Sequence, residues 1–274
     1  MDKFKSALQL IQYKSYLKYG TLLLLICLWG CTKTIKVTTP ISASQVVIEG
    51  NVYDTTGPYY VTLARSVEYS MDNIYPPISG AQVTITDSTT GLIDHLTETS
   101  SGQYATSSLL GISGHTYLLS VKIGDSIYTS SSTMPAPVKL DSISFETDGL
   151  NGKTIQTDAN FQDPAGIANY YIFSVFVNGA QPDKETIVYD DRISDGKYIT
   201  TGLRLDSSYI AAGDLVSVQM GCVDKNVYNY YNTIKNSTGD ANTTPANPIS
   251  NITNGALGYF SAQTKQTVSA IAHK

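Results

Sequence analysis

Short apolar runs alternating with polar positions recur along the chain, the pattern of consecutive half-buried β-strands. The first is Val46-Val-Ile-Glu-Gly-Asn-Val-Tyr53, which ends in the turn-prone Asp54-Thr-Thr-Gly-Pro58. Similar runs follow at 60–63, 81–86, 102–106, 116–123 and 127–132. Turn chemistry separates them: Pro76-Pro77 with Ser79-Gly80, Thr90-Gly91, Ser101-Gly102, Ser113-Gly114 and Gly124-Asp125. Strands at this spacing without intervening helices predict a small antiparallel sandwich. Met134-Pro-Ala-Pro137 then stiffens the chain, because proline fixes φ and holds its predecessor extended. A second set of strands is predicted at 142–146, 154–161, 170–177, 186–189, 198–203 and 215–223. One helix fits residues 224–235: Val227, Tyr230, Tyr231 and Ile234 form an i, i+3, i+4, i+7 docking stripe, and Asp224 can cap its start. Residues 236–247 read as a long loop, and 249–260 return to structure.

The amino terminus breaks this pattern. Residues 1–20 are rich in Lys and Tyr, and Thr21-Leu-Leu-Leu-Leu-Ile-Cys-Leu-Trp-Gly30 is an uncharged run that stops at Cys31. Ten helical residues rise about 15 Å, half of a hydrocarbon core of roughly 30 Å, so a cleaved signal peptide fits better than a membrane span. Leu28-Trp29-Gly30-Cys31 resembles the lipobox of bacterial lipoproteins, in which the Cys thiol is diacylglycerylated and the peptidase cuts before it. Gly30 supplies the small residue that the peptidase pocket requires, whereas Cys27 follows Ile26; Trp29 stands where a small or β-branched residue is commonest. Two or three acyl chains hold a protein on its membrane essentially permanently. The expected organisation is a signal peptide over 1–30, a lipidated tether over 31–44, a β-sandwich over 45–134 and a second β-rich domain over 138–274.

Composition agrees with an all-β body: the 274 residues include 20 Tyr and only 15% charged side chains. Without residues 1–30 the chain carries 14 Lys and Arg against 22 Asp and Glu, a net −8, which disfavours nucleic acid as a partner. With Cys27 in the signal and Cys31 lipidated, Cys222 is left alone and no internal disulfide can form.

The body resembles the Bacteroidetes lipoproteins of domain-of-unknown-function family 4249. The resemblance rests on the lipobox, Val47-Ile-Glu-Gly-Asn-Val52, Ser79-Gly-Ala-Gln-Val-Thr-Ile-Thr-Asp87, Gly102-Gln-Tyr104, Gly114-His-Thr-Tyr-Leu-Leu-Ser-Val121, Met134-Pro135 with Leu140-Asp-Ser-Ile143, and Asn247-Pro-Ile-Ser-Asn-Ile-Thr-Asn-Gly-Ala-Leu-Gly-Tyr-Phe260. It implies an amino-terminal Ig-like sandwich of the carboxypeptidase-regulatory kind, a second β-rich domain with one short helix, and residence in the outer membrane. It also implies association with outer-membrane nutrient-import receptors. Surface display in that phylum usually follows acidic residues after the lipidated Cys; here Thr32-Lys-Thr-Ile-Lys36 follows, which favours the periplasmic face.

Candidate chemistry is sparse. Asp190-Asp191 with Asp195-Gly196 could offer oxygens to Ca²⁺, but the spacing is that of a solvated turn and Arg192 interrupts it. Asp163-Pro-Ala-Gly166 reads as a second such turn. His95, His115 and His273 give little material for a triad or a zinc site, and Cys222 on an apolar strand reads as an inert thiol. No phosphate-cradling glycine motif occurs, so no cofactor and no metal are expected. The adjacent pairs Tyr59-Tyr60 and Tyr170-Tyr171, on strands, would send one ring inward and one outward, toward a ligand or partner surface. The expectation is a non-enzymatic, lipid-anchored binding protein, with direct glycan or peptide capture by a tyrosine-rich surface as the alternative.

Overall fold

The structure is a computed structural model and describes residues 44–67, 74–148, 154–182, 186–205, 209–238 and 248–273. The signal segment with Leu28, Trp29, Gly30 and Cys31, and the tether as far as residue 43, lie outside the described residues. The described residues fall within one compact unit.

Eight strands build a first sandwich from the chain's first half: β1 (Val46–Tyr53), β2 (Tyr60–Arg65), β3 (Gln82–Asp87), β4 (Ile93–His95), β5 (Thr97–Ser100), β6 (Gln103–Ala105), β7 (Thr116–Ile123) and β8 (Ser126–Thr133). Alternation does the folding: in β1 the side chains of Val46, Ile48 and Val52 point inward while Glu49, Asn51 and Tyr53 point out. Sheets β1-β2-β6-β5, extended beyond β1 by a strand from residues 257–263, and β4-β3-β7-β8 enclose a core that includes Ile48, Leu63, Ile85, Tyr117, Leu119 and Phe260. The Gly124-Asp125 pair makes the tight β7–β8 turn, with Gly124 at φ 57°.

The second sandwich comprises β9 (Leu140–Asp148), β10 (Thr154–Gln162), β11 (Tyr170–Val177), β12 (Ile187–Asp190), β13 (Tyr198–Leu203), β14 (Leu215–Val223) and β16 (Gln266–Ile271). Its sheets, β13-β10-β9 and β12-β11-β14-β16, close over Phe161, Tyr171, Phe173, Leu203, Val218 and Met220. Met134 is buried in the first core and Val138 in the second, so the Pro135–Pro137 stretch lies where one core gives way to the other.

The chain then crosses back. Strand β15 (Leu257–Gln263) pairs in parallel with β1, Val47 opposite Leu257 and Tyr53 opposite Gln263, so part of the stretch 138–274 completes the first sandwich. Asn251 sets this return: its amide accepts the Phe260 N–H at 2.9 Å and donates to the Phe260 carbonyl at 2.7 Å, imitating a strand neighbour. Gly258, at φ 93°, passes so close to β1 that a Cβ there would sit 2.0 Å from the Ile48 carbonyl oxygen.

Helix α1 (Lys225–Thr238) follows β14 directly. Asp224 caps it, its Oδ1 accepting the N–H groups of Asn226 (2.9 Å) and Val227 (3.0 Å). Val227 and Tyr228 pack toward Tyr170, Ile172 and Val188, while Tyr230 and Tyr231 stack on Tyr259 of β15 with ring centroids 4.9 and 5.2 Å apart. The expected tyrosine stripe therefore docks on both sandwiches at once. Further contacts fasten this joint: the Lys265 N–H to Asp54 (2.8 Å) and the Lys265 ammonium over the Tyr53 ring at 5.0 Å.

Candidate functional site

Three buried tyrosines of the first sandwich are loop clamps. The Tyr59 hydroxyl donates to the Thr55 carbonyl and accepts the Gly111 N–H; Tyr104 does the same between Ile78 and Ala81, and Tyr117 between Leu110 and Ile112. Each ring adds apolar area while its hydroxyl satisfies two backbone groups of a turn. This narrows the expected tyrosine surface. Tyr59 and Tyr171 are buried in the two cores and leave it, Tyr170 packs half-buried against Tyr228 at 5.1 Å, and Tyr60 alone of the four is exposed, at 44%.

The acidic turns come together in an arrangement that spacing did not suggest. Asp163, Asp191 and Asp195 place carboxylate oxygens within 4.8 Å of one another, whereas Asp190 turns away. Asp163 accepts hydrogen bonds from the Tyr171 hydroxyl and the Gly196 N–H; Asp191 accepts from the Asn169 N–H and Asp195 from the Gly166 N–H. Burial first, and then the charges of Asp163 and Asp195, push the Asp191 carboxyl above the ordinary range. Three carboxylates fall short of the six to eight oxygens that Ca²⁺ takes, and all three accept turn amides. Their work in this geometry is to knot the 163–166 and 191–197 turns.

His115 is tied to Asp87 at 2.8 Å inside a turn, with the Asp87 carboxylate also accepting from Thr89 and Thr90. The Cys222 thiol is buried, and burial pushes its pKa up, which suits an inert core thiol.

An open groove of about 680 Å³ lies between β12 with its following turn and α1, lined by Val188, Tyr189, Asp190, Arg192, Ile193, Tyr228, Asn232 and Lys235. Arg192 Nε donates to Asp190 at 2.8 Å, and the Tyr228 hydroxyl donates to the other carboxylate oxygen at 2.5 Å. Burial opposes ionisation of Asp190, but the bonds from Arg192 and Tyr228 outweigh it and hold the carboxyl below its usual range. Burial and the bond to Asp190 push Tyr228 up to about 12, so it remains a donor. The Asp190–Arg192 pair is thus internally neutralised, with the Arg192 side chain exposed, and Lys235 lines the same groove. Sequence reading noted Arg192 only as an interruption of an acidic turn; Lys235 and Asn232 carried no signal, because only the docking of α1 beside β12 brings them there.

A family model described as a domain of unknown function, DUF4249, matches residues 32–269. No curated protein matches the chain. Among solved structures, a two-domain fibronectin type III segment of chicken tenascin matches at 12% identity, covering 84% of this chain and 99% of that one, with a TM-score of 0.24.

Proposed function

The chain belongs to the DUF4249 family, and from that premise we propose that it is a non-enzymatic cell-envelope lipoprotein, held at the outer membrane by Cys31, that binds a partner protein such as a nutrient-import receptor. The observation that carries the reading is the placement of the second sandwich. The tether enters β1 at its Val46 end, where Gln45 bonds to Gly255, while Asp54, just beyond the far end of β1, bonds to Lys265 beside the second sandwich. At roughly 3.3 Å per residue, β1 separates those points by about 23 Å. With the two sandwiches fastened by α1, a chain anchored at Cys31 would offer its partner both sandwiches as one body. The basic Thr32–Lys36 stretch favours the periplasmic leaflet.

Capture of a glycan by a tyrosine platform is the weaker reading, because Tyr59 and Tyr171 are core residues and Tyr170 is held by Tyr228. The test is crosslinking in intact cells followed by detergent solubilisation. Recovery of a membrane receptor with the wild-type chain, and its loss with a Cys31→Ala variant that leaves the membrane fraction, is the expected result. Recovery of no receptor while the chain binds a defined polysaccharide would overturn it.

A further inference from the structure

We propose that a small polar cavity at the joint of the two sandwiches is a binding site for one water molecule, held by the Gln263 side chain of β15 and shared with Ser174 and Gln219 of the second sandwich. The site is independent of the receptor reading above, and either can hold without the other.

The site begins with an unpaired acceptor. Gln263 is only 7% exposed, and its Oε1 has no hydrogen-bond partner in the protein. Ser261 Oγ, two residues back on the same face of β15 and in a fully buried residue, is unpaired as well. A buried amide oxygen left without a donor forfeits its hydration, and a bound donor recovers it. Reversing the Gln263 amide does not supply one. Its Nε2 faces Asn51 Oδ1 at 3.5 Å, and Asn51 Oδ1 is fixed as an acceptor because Asn51 Nδ2 donates to the Tyr259 hydroxyl at 3.2 Å. The reversed amide would set oxygen against oxygen.

Oε1 points across the joint at β14. A Cβ built on Gly221 would lie 3.4 Å from Gln263 Oε1 and 3.1 Å from the Thr264 carbonyl oxygen. Because Gly221 carries no side chain, a cavity of about 20 Å³ lies there, lined by Tyr53, Gln263 and Lys265 on one side and by Ser174, Gln219 and Gly221 on the other. That volume suits a single water and nothing larger. Ser174 and Gln219 stand opposite one another in the β11–β14 ladder, so the second sandwich offers a hydroxyl and an amide to the same space. With Gln263 these make up the two to four polar partners that a held water needs.

The chemistry favours water over an ion of similar size. Lys265 lines the cavity, with its ammonium 5.0 Å from the centroid of the Tyr53 ring, and its charge opposes a second cation. An anion would confront the Gln263 oxygen. Water donates one proton to Gln263 Oε1 and keeps a second proton and two lone pairs for Ser174 and Gln219, which can each give or take a bond. The joint is then wet at this point, and the water ties β15 to β11 and β14 where no direct side-chain bond does.

The experiment compares the full chain in detergent with its Gln263→Met variant, which keeps the length of the side chain and removes the amide. A crystal structure of the wild type, at a resolution that shows ordered water, should hold a water within hydrogen-bond distance of Gln263 Oε1 and of Ser174 or Gln219, and the variant should hold none there. In solution, ¹⁷O relaxation dispersion should count one long-lived water fewer in the variant, with circular dichroism showing both chains folded. Gly221→Ala, which sends a methyl group into the same space from the opposite wall, should lose the same water. A dry cavity in the wild type, an ion or a side chain filling it, Gln263 Oε1 bonded to a protein group, or equal counts of long-lived water in the wild type and the variants would overturn the proposal. The wild-type electron density decides alone if a variant fails to fold.

Discussion

Asp224 and Ser132 share a hydrogen bond that joins helix α1 to strand β8 across the two sandwiches: one carboxylate oxygen caps the helix and the other accepts the Ser132 hydroxyl. Ser132 in turn accepts the Ala262 N–H at 2.8 Å, so three elements meet at one side chain. An Asp224→Ala variant should lose the cap and the relay together, about 2–3 kcal/mol, while Asp224→Asn, which keeps an acceptor for the cap, should lose about half of that. Urea unfolding of the two variants measures this. Equal loss would mean that the cap contributes nothing separable from the charge.

The clamp role of tyrosine predicts that hydroxyls, more than rings, set the cost of substitution. Tyr104→Phe retains the buried ring but leaves the Ala81 N–H and the Ile78 carbonyl without their partner, which should cost about 1–3 kcal/mol. Tyr60→Phe, on the exposed side of β2, should shift the unfolding midpoint by no more than about 0.5 kcal/mol equivalent. Similar effects for both would show that the turn bonds of Tyr104 are not holding the loop.

Gly258 should be the least replaceable residue of the returning segment. Its Cβ would meet the Ile48 carbonyl at 2.0 Å, and its φ of 93° is strained for any L side chain. Gly258→Ala should therefore cost more than about 3 kcal/mol, by pushing β15 off β1, whereas Gly255→Ala, at φ 72° with open space around it, should cost about 1 kcal/mol. Limited proteolysis checks the mechanism: cleavage around residues 249–263 should appear in the first variant and not in the second.

The elements legible in the sequence were those whose burial alternates. β7 and β11 carry Val, Ile, Leu, Tyr or Phe at every second position, β1 does so apart from Gly50, and β14 continues Val216 and Val218 with Met220 and Cys222; these apolar runs coincide with the observed strands. β4 (Ile-Asp-His) and β5 (Thr-Glu-Thr-Ser) escaped, because the inward residue of β4 is Asp94, and β5 is a polar edge whose Glu98 reaches the N–H groups of Gly80 and Gly102. β16 escaped because its inward positions are only Gln266, Val268 and Ala270, too weak a pattern to read. The parallel pairing of β15 with β1 joins residues some 210 apart, and no local rule predicts it. The groove shares that limit: Arg192 and Lys235 come to line it only through the packing of α1 on the sheet, whereas the inward and outward split of adjacent tyrosines follows from strand periodicity alone.

Asp94 supplies the pH dependence that the fold predicts most directly. Buried at 2% exposure, its carboxylate accepts the N–H groups of Ser107 (3.0 Å), Ser108 (2.7 Å) and Leu109 (2.8 Å) and the Ser107 hydroxyl (3.1 Å). Burial acts to raise its pKa, but these bonds outweigh it and hold the carboxyl below the ordinary range. The unfolded chain, with Asp near about 3.9, then binds the proton more tightly than the folded one. The stability conferred by Asp94 is accordingly complete above about pH 4 and is lost as pH falls through the lower folded value. Asp94→Asn removes the charge and turns an amide NH₂ toward backbone donors, so it should cost about 2–3 kcal/mol at pH 7. Every other carboxylate titrates in both proteins, so the difference between their urea midpoints isolates Asp94. That difference should be largest at pH 7 and shrink toward pH 2; a constant gap across the range would mean that the amide nest at residues 107–109 does not depend on the ionised form.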